Sequence, residues 1–208
     1  MTIDNTAKPQ QFDVVVVGAG FAGLYMLYRL RQLGLTARVY EAGDGAGGNL
    51  AAVLALMGRD GTAPRTIFQA LIYPVVDLTA VSGSYQRITS GVPLTAATMH
   101  YFIDHYAPSE RDRTDWRASP LLAPSLADTP PALVVTVAHD PLCDEGRAYA
   151  ARLEEEGVRV TALHLSDHLH GMLTQGRQVR TSNLIVDFVG AAIGEALHHG
   201  TPTSPSTP

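Results

Sequence analysis

The 208-residue sequence predicts an α/β fold, a mostly parallel wound sheet of about five strands with helices packed against it. Three observations point there. Short runs rich in β-branched residues alternate along the chain with stretches of helical periodicity. Those runs are continuously apolar, the pattern of parallel strands buried on both faces. Two glycine-rich turns, at 18–23 and 43–48, each follow a strand and open a helix.

The elements follow in order. A polar leader, 1–11, lacks the apolar stretch of a secretion signal and reads as disordered. Residues 12–17 form the first strand, and 21–33 a helix with Leu24, Leu27 and Leu30 on one face. Residues 36–40 give the second strand, and 49–57 a helix stopped by Gly58. The third strand, 67–73, is closed by Pro74; the irregular stretch 77–131 holds one helix near 95–106. A fourth strand at 132–138, a helix at 145–156 and a fifth strand at 158–163 complete the sheet. A loop with His168 and His170 precedes the last helix, 179–197, and a Thr/Ser/Pro-rich tail, 198–208, reads as disordered. One domain, 12–197, therefore carries the fold.

Composition narrows the function. Hydrophobic residues make up 46 % and charged residues 17 %, enough apolar material for a folded core. A net charge of −5 without a Lys/Arg run gives no footprint for nucleic acid or an anionic membrane. Cys143 is the only cysteine, so an intrachain disulfide and a cysteine zinc cluster are excluded, and no metal is expected. With no apolar run long enough to span a bilayer, the expected compartment is the cytoplasm.

The first glycine turn is Gly18-Ala19-Gly20-Phe21-Ala22-Gly23, the G-x-G-x-x-G of a dinucleotide-binding βαβ unit. Gly18 permits the tight turn, Gly20 lets backbone approach a pyrophosphate, and Gly23 lets helix and strand pack closely. Glu41, at the end of the next strand, would accept hydrogen bonds from ribose hydroxyls. Residues 13–25 and 39–45 together resemble the N-terminus of the flavin-containing Baeyer–Villiger monooxygenases. That resemblance implies FAD at Gly18, Gly20, Gly23 and Glu41. It stops near Gly48, where Asn49-Leu50-Ala51-Ala52 replaces the family's aromatic segment, so the unit is equally a bare Rossmann-like scaffold.

From Gly43 onward the sequence resembles the hormone-sensitive-lipase-like esterases of the α/β-hydrolase superfamily. The resemblance is carried by Gly43-Asp44-Gly45-Ala46-Gly47-Gly48-Asn49, Tyr73-Pro74, Ala118-Ser119-Pro120-Leu121, His139-Asp140-Pro141-Leu142 and His170-Gly171, in that order. It implies Asp140 as the triad acid, His170 as the base and the N–H of Ala46 as an oxyanion donor, with no cofactor required. It also places Gly45 where the family has its nucleophilic serine, and glycine has nothing with which to attack a carbonyl. Losing that group costs a serine hydrolase on the order of a millionfold in kcat. The family's His-Gly-Gly-Gly oxyanion loop occurs nowhere in the 208 residues.

No obvious substitute stands in. Asp44 precedes the nucleophile position, Ser82, Ser84 and Ser119 match no elbow pattern and read as surface or turn residues, and His168 is a rival to His170. Cys143 reads as packing. Tyr85, Tyr101, Phe102 and Trp116 form either a substrate-side apolar surface or core. The stretch Glu41 to Gly48 fits both families, so a gene fusion within it is one origin. The expectation is an esterase-type pseudoenzyme, inactive or very weak, taking a small acyl ester if anything. A non-catalytic nucleotide or FAD module and a fusion remnant without function are the alternatives. With only the last helix left to cover one sheet face, an exposed apolar face and self-association are expected.

Overall fold

A computed structural model describes the backbone of residues 14–17, 37–40 and 45–200, and the side chains of residues 45–197. Its strands are β1 (Val14–Val17), β2 (Ala37–Tyr40), β3 (Gln69–Ile72), β4 (Ala132–His139) and β5 (Val160–Leu169). The helices are α1 (Ala46–Arg59), α2 (Gly83–Arg87), α3 (Ala96–Tyr106), α4 (Glu110–Thr114), α5 (Cys143–Glu155) and α6 (Arg180–Gly200). Short 3₁₀ turns at Pro120–Leu122 and Met172–Gln175 link them.

Every described strand pair is parallel, as the continuous apolar runs predict. The five strands nevertheless pair as two groups among the described residues. β1 lies beside β2, with Val14 opposite Ala37 and Val17 opposite Tyr40, while β3, β4 and β5 form a sheet in that order. β5 continues six residues beyond the expected end at 163, because it follows β4 past an irregularity between Val137 and His139. His168 is therefore a strand residue and not a loop residue.

Alternation along β4 builds the core. Leu133, Val135 and Val137 face a cluster with Tyr73, Met172, Leu173, Ile185, Val186 and Val189. Ala132 and Val134 face the opposite cluster, with Ala52 and Leu56 of α1, Leu71, and Tyr149 and Leu153 of α5. Each fully buried aliphatic chain here contributes about 1.5–3 kcal/mol. The last helix covers the second face of β4, while Ala70 and Ile72 of β3 are only partly buried there, and β5 exposes Thr161, Ala162, His164, Ser166 and Asp167 rather than its leucines. No large apolar side chain of β3, β4 or β5 is exposed. Helix α6 also runs to Gly200, three residues into the stretch read as a tail.

Candidate active site

Asp140 immediately follows β4 and is fully buried. Its Oδ1 accepts from the Leu142 N–H at 2.9 Å, and its Oδ2 lies 2.7 Å from His170 Nδ1. His170 follows β5, thirty residues away in sequence, and its parallel pairing with β4 brings the two ends together. With Asp140 Oδ2 accepting the hydrogen bond that His170 Nδ1–H donates, Nε2 keeps the free lone pair of the ring. The Tyr73 ring lies against the imidazole, centroids 4.4 Å apart.

Gly45 sits beneath that ring. It is the residue before α1, with φ +80° and ψ −69°, a backbone shape that glycine adopts without steric cost. A Cβ placed on it would lie 3.2 Å from Cε1 and 3.5 Å from Nε2 of His170. The turn is held by its own backbone, since the Gly45 carbonyl accepts from both Asn49 N–H at 3.2 Å and Val75 N–H at 3.0 Å. The buried Asn49 side chain adds donors to the carbonyls of Val75 at 2.9 Å and Ala118 at 2.7 Å. Ala46, the first residue of α1, has an N–H without an intrahelical acceptor, at the positive end of the helix dipole.

These groups open onto a cavity of about 360 Å³. Gly45, Ala46, Asn49 and His170 form its polar end, and Leu50, Val75, Leu78, Leu94, Met99, Phe102, Ile103, Tyr106, Ala118 and Leu142 form its apolar walls. The size and lining suit a small apolar molecule with one polar group.

The other candidates fall elsewhere. Ser84 and Ser119 are buried and not at the surface: Ser84 Oγ donates to the Pro141 carbonyl at 2.5 Å, and Ser119 Oγ donates to the Arg113 carbonyl at 2.5 Å while accepting from Leu78 N–H. Ser82 caps α2 and shares a 3.0 Å hydrogen bond with Ser84. His168 faces Asp167, Nδ1 to Oδ1 at 2.6 Å. Cys143 is buried, and burial pushes its thiol pKa up, which keeps it protonated. Among the aromatic candidates, Phe102 lines the cavity, Tyr85 is buried beneath α3, Trp116 packs on the α1/α5 core and Tyr101 is exposed. Gly18, Gly20, Gly23, Glu41 and Asp44 lie outside the described residues. Among the described residues no cluster of three His, Cys, Asp or Glu side chains could hold a metal, and no helix is long and apolar enough to cross a membrane.

Three neighbours of the site lie in stretches that resemble the esterases, but the resemblance assigns them no role. Leu142 places Cδ1 3.5 Å from the Gly45 Cβ position. Glu145, buried on α5, accepts at Oε1 from Val76 N–H at 2.8 Å and Asp77 N–H at 3.2 Å. Tyr73 has φ +34° although a proline follows, a position at which backbone sterics favour extended geometry. Only that Tyr-Pro pair marks it in the sequence.

Comparison with known proteins agrees with this fold. A family model described as the alpha/beta hydrolase fold matches residues 24–174, beginning upstream of Gly43 and so reaching into the stretch that resembles a flavin enzyme. The ethyl acetate hydrolase of Pseudomonas putida is 38 % identical over 156 residues, covering 73 % of this chain and 48 % of that protein. The carboxylic ester hydrolase LipN of Mycobacterium tuberculosis is 40 % identical over 144 residues, 67 % of this chain and 38 % of its own length. The chain thus spans about half or less of these curated relatives. Among solved structures, the hyperthermophilic esterase of Pyrobaculum calidifontis superposes with a TM-score of 0.77 at 29 % identity, covering 90 % of this chain and 78 % of that one. EstE1, a thermostable carboxylesterase from a metagenomic library, gives 0.72 at 34 %, covering 88 % and 63 %. The chain belongs to the alpha/beta hydrolase fold family, among relatives that are carboxylic ester hydrolases.

Proposed function

We propose that this chain holds small acyl esters in a carboxylic ester hydrolase site whose acid, Asp140, and base, His170, stand without a nucleophile. The observation that supports this is the identity of residue 45. A Cβ on residue 45 would stand 3.5 Å from His170 Nε2, the side from which a hydroxyl-bearing side chain would attack, and the residue is glycine. Without an attacking oxygen on the protein, the histidine has no side-chain proton to take, and the double displacement through an acyl-enzyme cannot begin. The serines described nearby are committed to backbone partners, and Ala46 N–H is the oxyanion donor that stands beside Gly45 among the described residues.

The test is release of p-nitrophenolate from p-nitrophenyl acetate, with Asp140→Ala alongside. The expected result is no burst and turnover about a millionfold below that of an intact serine hydrolase. Ordinary turnover, roughly 1–10³ per second and abolished in Asp140→Ala, would overturn the proposal. The glycine turn at 18–23 is proposed as scaffold, so FAD or ADP is expected to leave the melting temperature unchanged. A concentration-dependent rise would instead assign a nucleotide to it. The fusion origin is proposed on the double fit of Glu41 to Gly48, and an unbroken ancestral gene through that stretch would dispose of it.

A further inference from the structure

From the placement of Gly45 beneath His170 we infer that the Asp140–His170 pair acts directly on water, hydrolysing activated esters by addition of water and loss of the alcohol with no acyl-enzyme intermediate. The inference rests on the reading of the site as a carboxylic ester hydrolase without a nucleophile.

The geometry supplies each part. Gly45 and His170 both line the cavity, and Nε2 lies 3.5 Å from where a Cβ on Gly45 would stand. That position is itself crowded by the His170 ring, so the attacking water approaches Nε2 from the cavity. Nδ1 is anchored at 2.7 Å on a fully buried carboxylate, so the ring is fixed in the tautomer that accepts at Nε2 and the imidazolium formed on accepting is stabilised. The apolar walls hold the acyl or aryl group and shield the reacting carbonyl from bulk water.

The step balances. The water oxygen bonds to the acyl carbon as its proton passes to Nε2, and the carbonyl oxygen becomes an oxyanion beside the Ala46 N–H. The carbonyl then re-forms, the bond from acyl carbon to leaving oxygen breaks, and that oxygen takes the proton from Nε2. Ester and water become acid and alcohol. A positioned general base contributes about 10²–10⁴-fold, so only substrates with good leaving groups turn over measurably.

The experiment uses the full chain with p-nitrophenyl acetate, comparing the wild type with His170→Gln and weighing the intact protein after acid quench. Turnover about 10²–10⁴-fold above the background rate, without a burst, without an acetyl adduct and lost in His170→Gln, is the expected outcome. Circular dichroism of His170→Gln must match the wild type, and if it does not, Asp140→Asn serves as the second variant with the same expected loss. A rate no higher than buffer overturns the inference and leaves the proposed function standing. Turnover that survives loss of the histidine also overturns it, placing the activity elsewhere on the chain. An acetylated protein overturns both, because a nucleophile would then be present.

Discussion

Glu145 has its carboxyl inside α5's first turn, facing the backbone of the loop that walls the cavity. Burial pushes its pKa well above the ordinary glutamate value; the N–H groups of Val76 and Asp77 oppose this, and the charges of Asp77 and Asp140 reinforce it. Because the folded value is raised, the folded state holds a proton that the unfolded state releases. The stabilisation is full below the unfolded value of 4.5 and is lost as pH rises through the folded value. Glu145→Gln keeps the acceptor oxygen and removes the titration. Its melting temperature is therefore expected to decline less than that of the wild type as pH rises through a window that opens at the unfolded value of 4.5. Parallel curves would show that Glu145 does not titrate in this window. At Gly45 itself, a serine would pay a left-handed backbone cost of about 1–2 kcal/mol yet bring its hydroxyl to His170. Gly45→Ser is expected to become covalently phosphorylated by an organophosphate, seen as a mass increase, while the wild type is not. An unlabelled variant would show that His170 cannot activate residue 45.

Helix α1 shows how far a local pattern carries and where it stops. The apolar stretch from Asn49 announces a helix, but Gly47 and Gly48 read as part of a turn, whereas the helix begins at Ala46. Those glycines serve proximity. A Cβ on Gly48 would lie 2.6 Å from Pro74 Cβ and 2.9 Å from Pro74 Cα, so the helix and the end of β3 meet there backbone to backbone. Gly48→Ala is expected to cost about 1–3 kcal/mol, or roughly 2–4 °C of melting temperature per kcal/mol, measured by calorimetry. An unchanged melt would mean that α1 can slide away from Pro74 freely. β5 misleads in the opposite sense, because His164, Ser166 and Asp167 look like the start of a loop. They are the solvent side of an edge strand whose Leu163 and Leu165 still face the core.

On the scale of the molecule, the alternation of strands and helices and the parallel pairing were legible from residues alone, whereas Asp140 and His170 stood out only through the resemblance to the hormone-sensitive-lipase-like esterases. Local patterning could not bring the two together, because thirty residues and two strand ends lie between them. Tyr73, Leu142 and Glu145 escaped for the same reason, since each acts through a neighbour that only the packed sheet supplies. The sealing of the sheet also depends on tertiary packing: Ile185, Val186 and Val189 of α6 close over Leu133, Val135 and Val137. Truncation after Gln178 is expected to leave that face bare and drive the chain into aggregates on size-exclusion chromatography; a monodisperse product would show that the face tolerates water. The Gly45 turn, finally, takes its shape from a carbonyl clasped by Asn49 and Val75 and from nothing beyond the α-carbon. A residue at this position can therefore change without dismantling the cradle. On the proposed reading of Gly45 as a vacated serine position, a glycine codon ending in a pyrimidine lies a single base from serine, so such a change is heritable yet reversible.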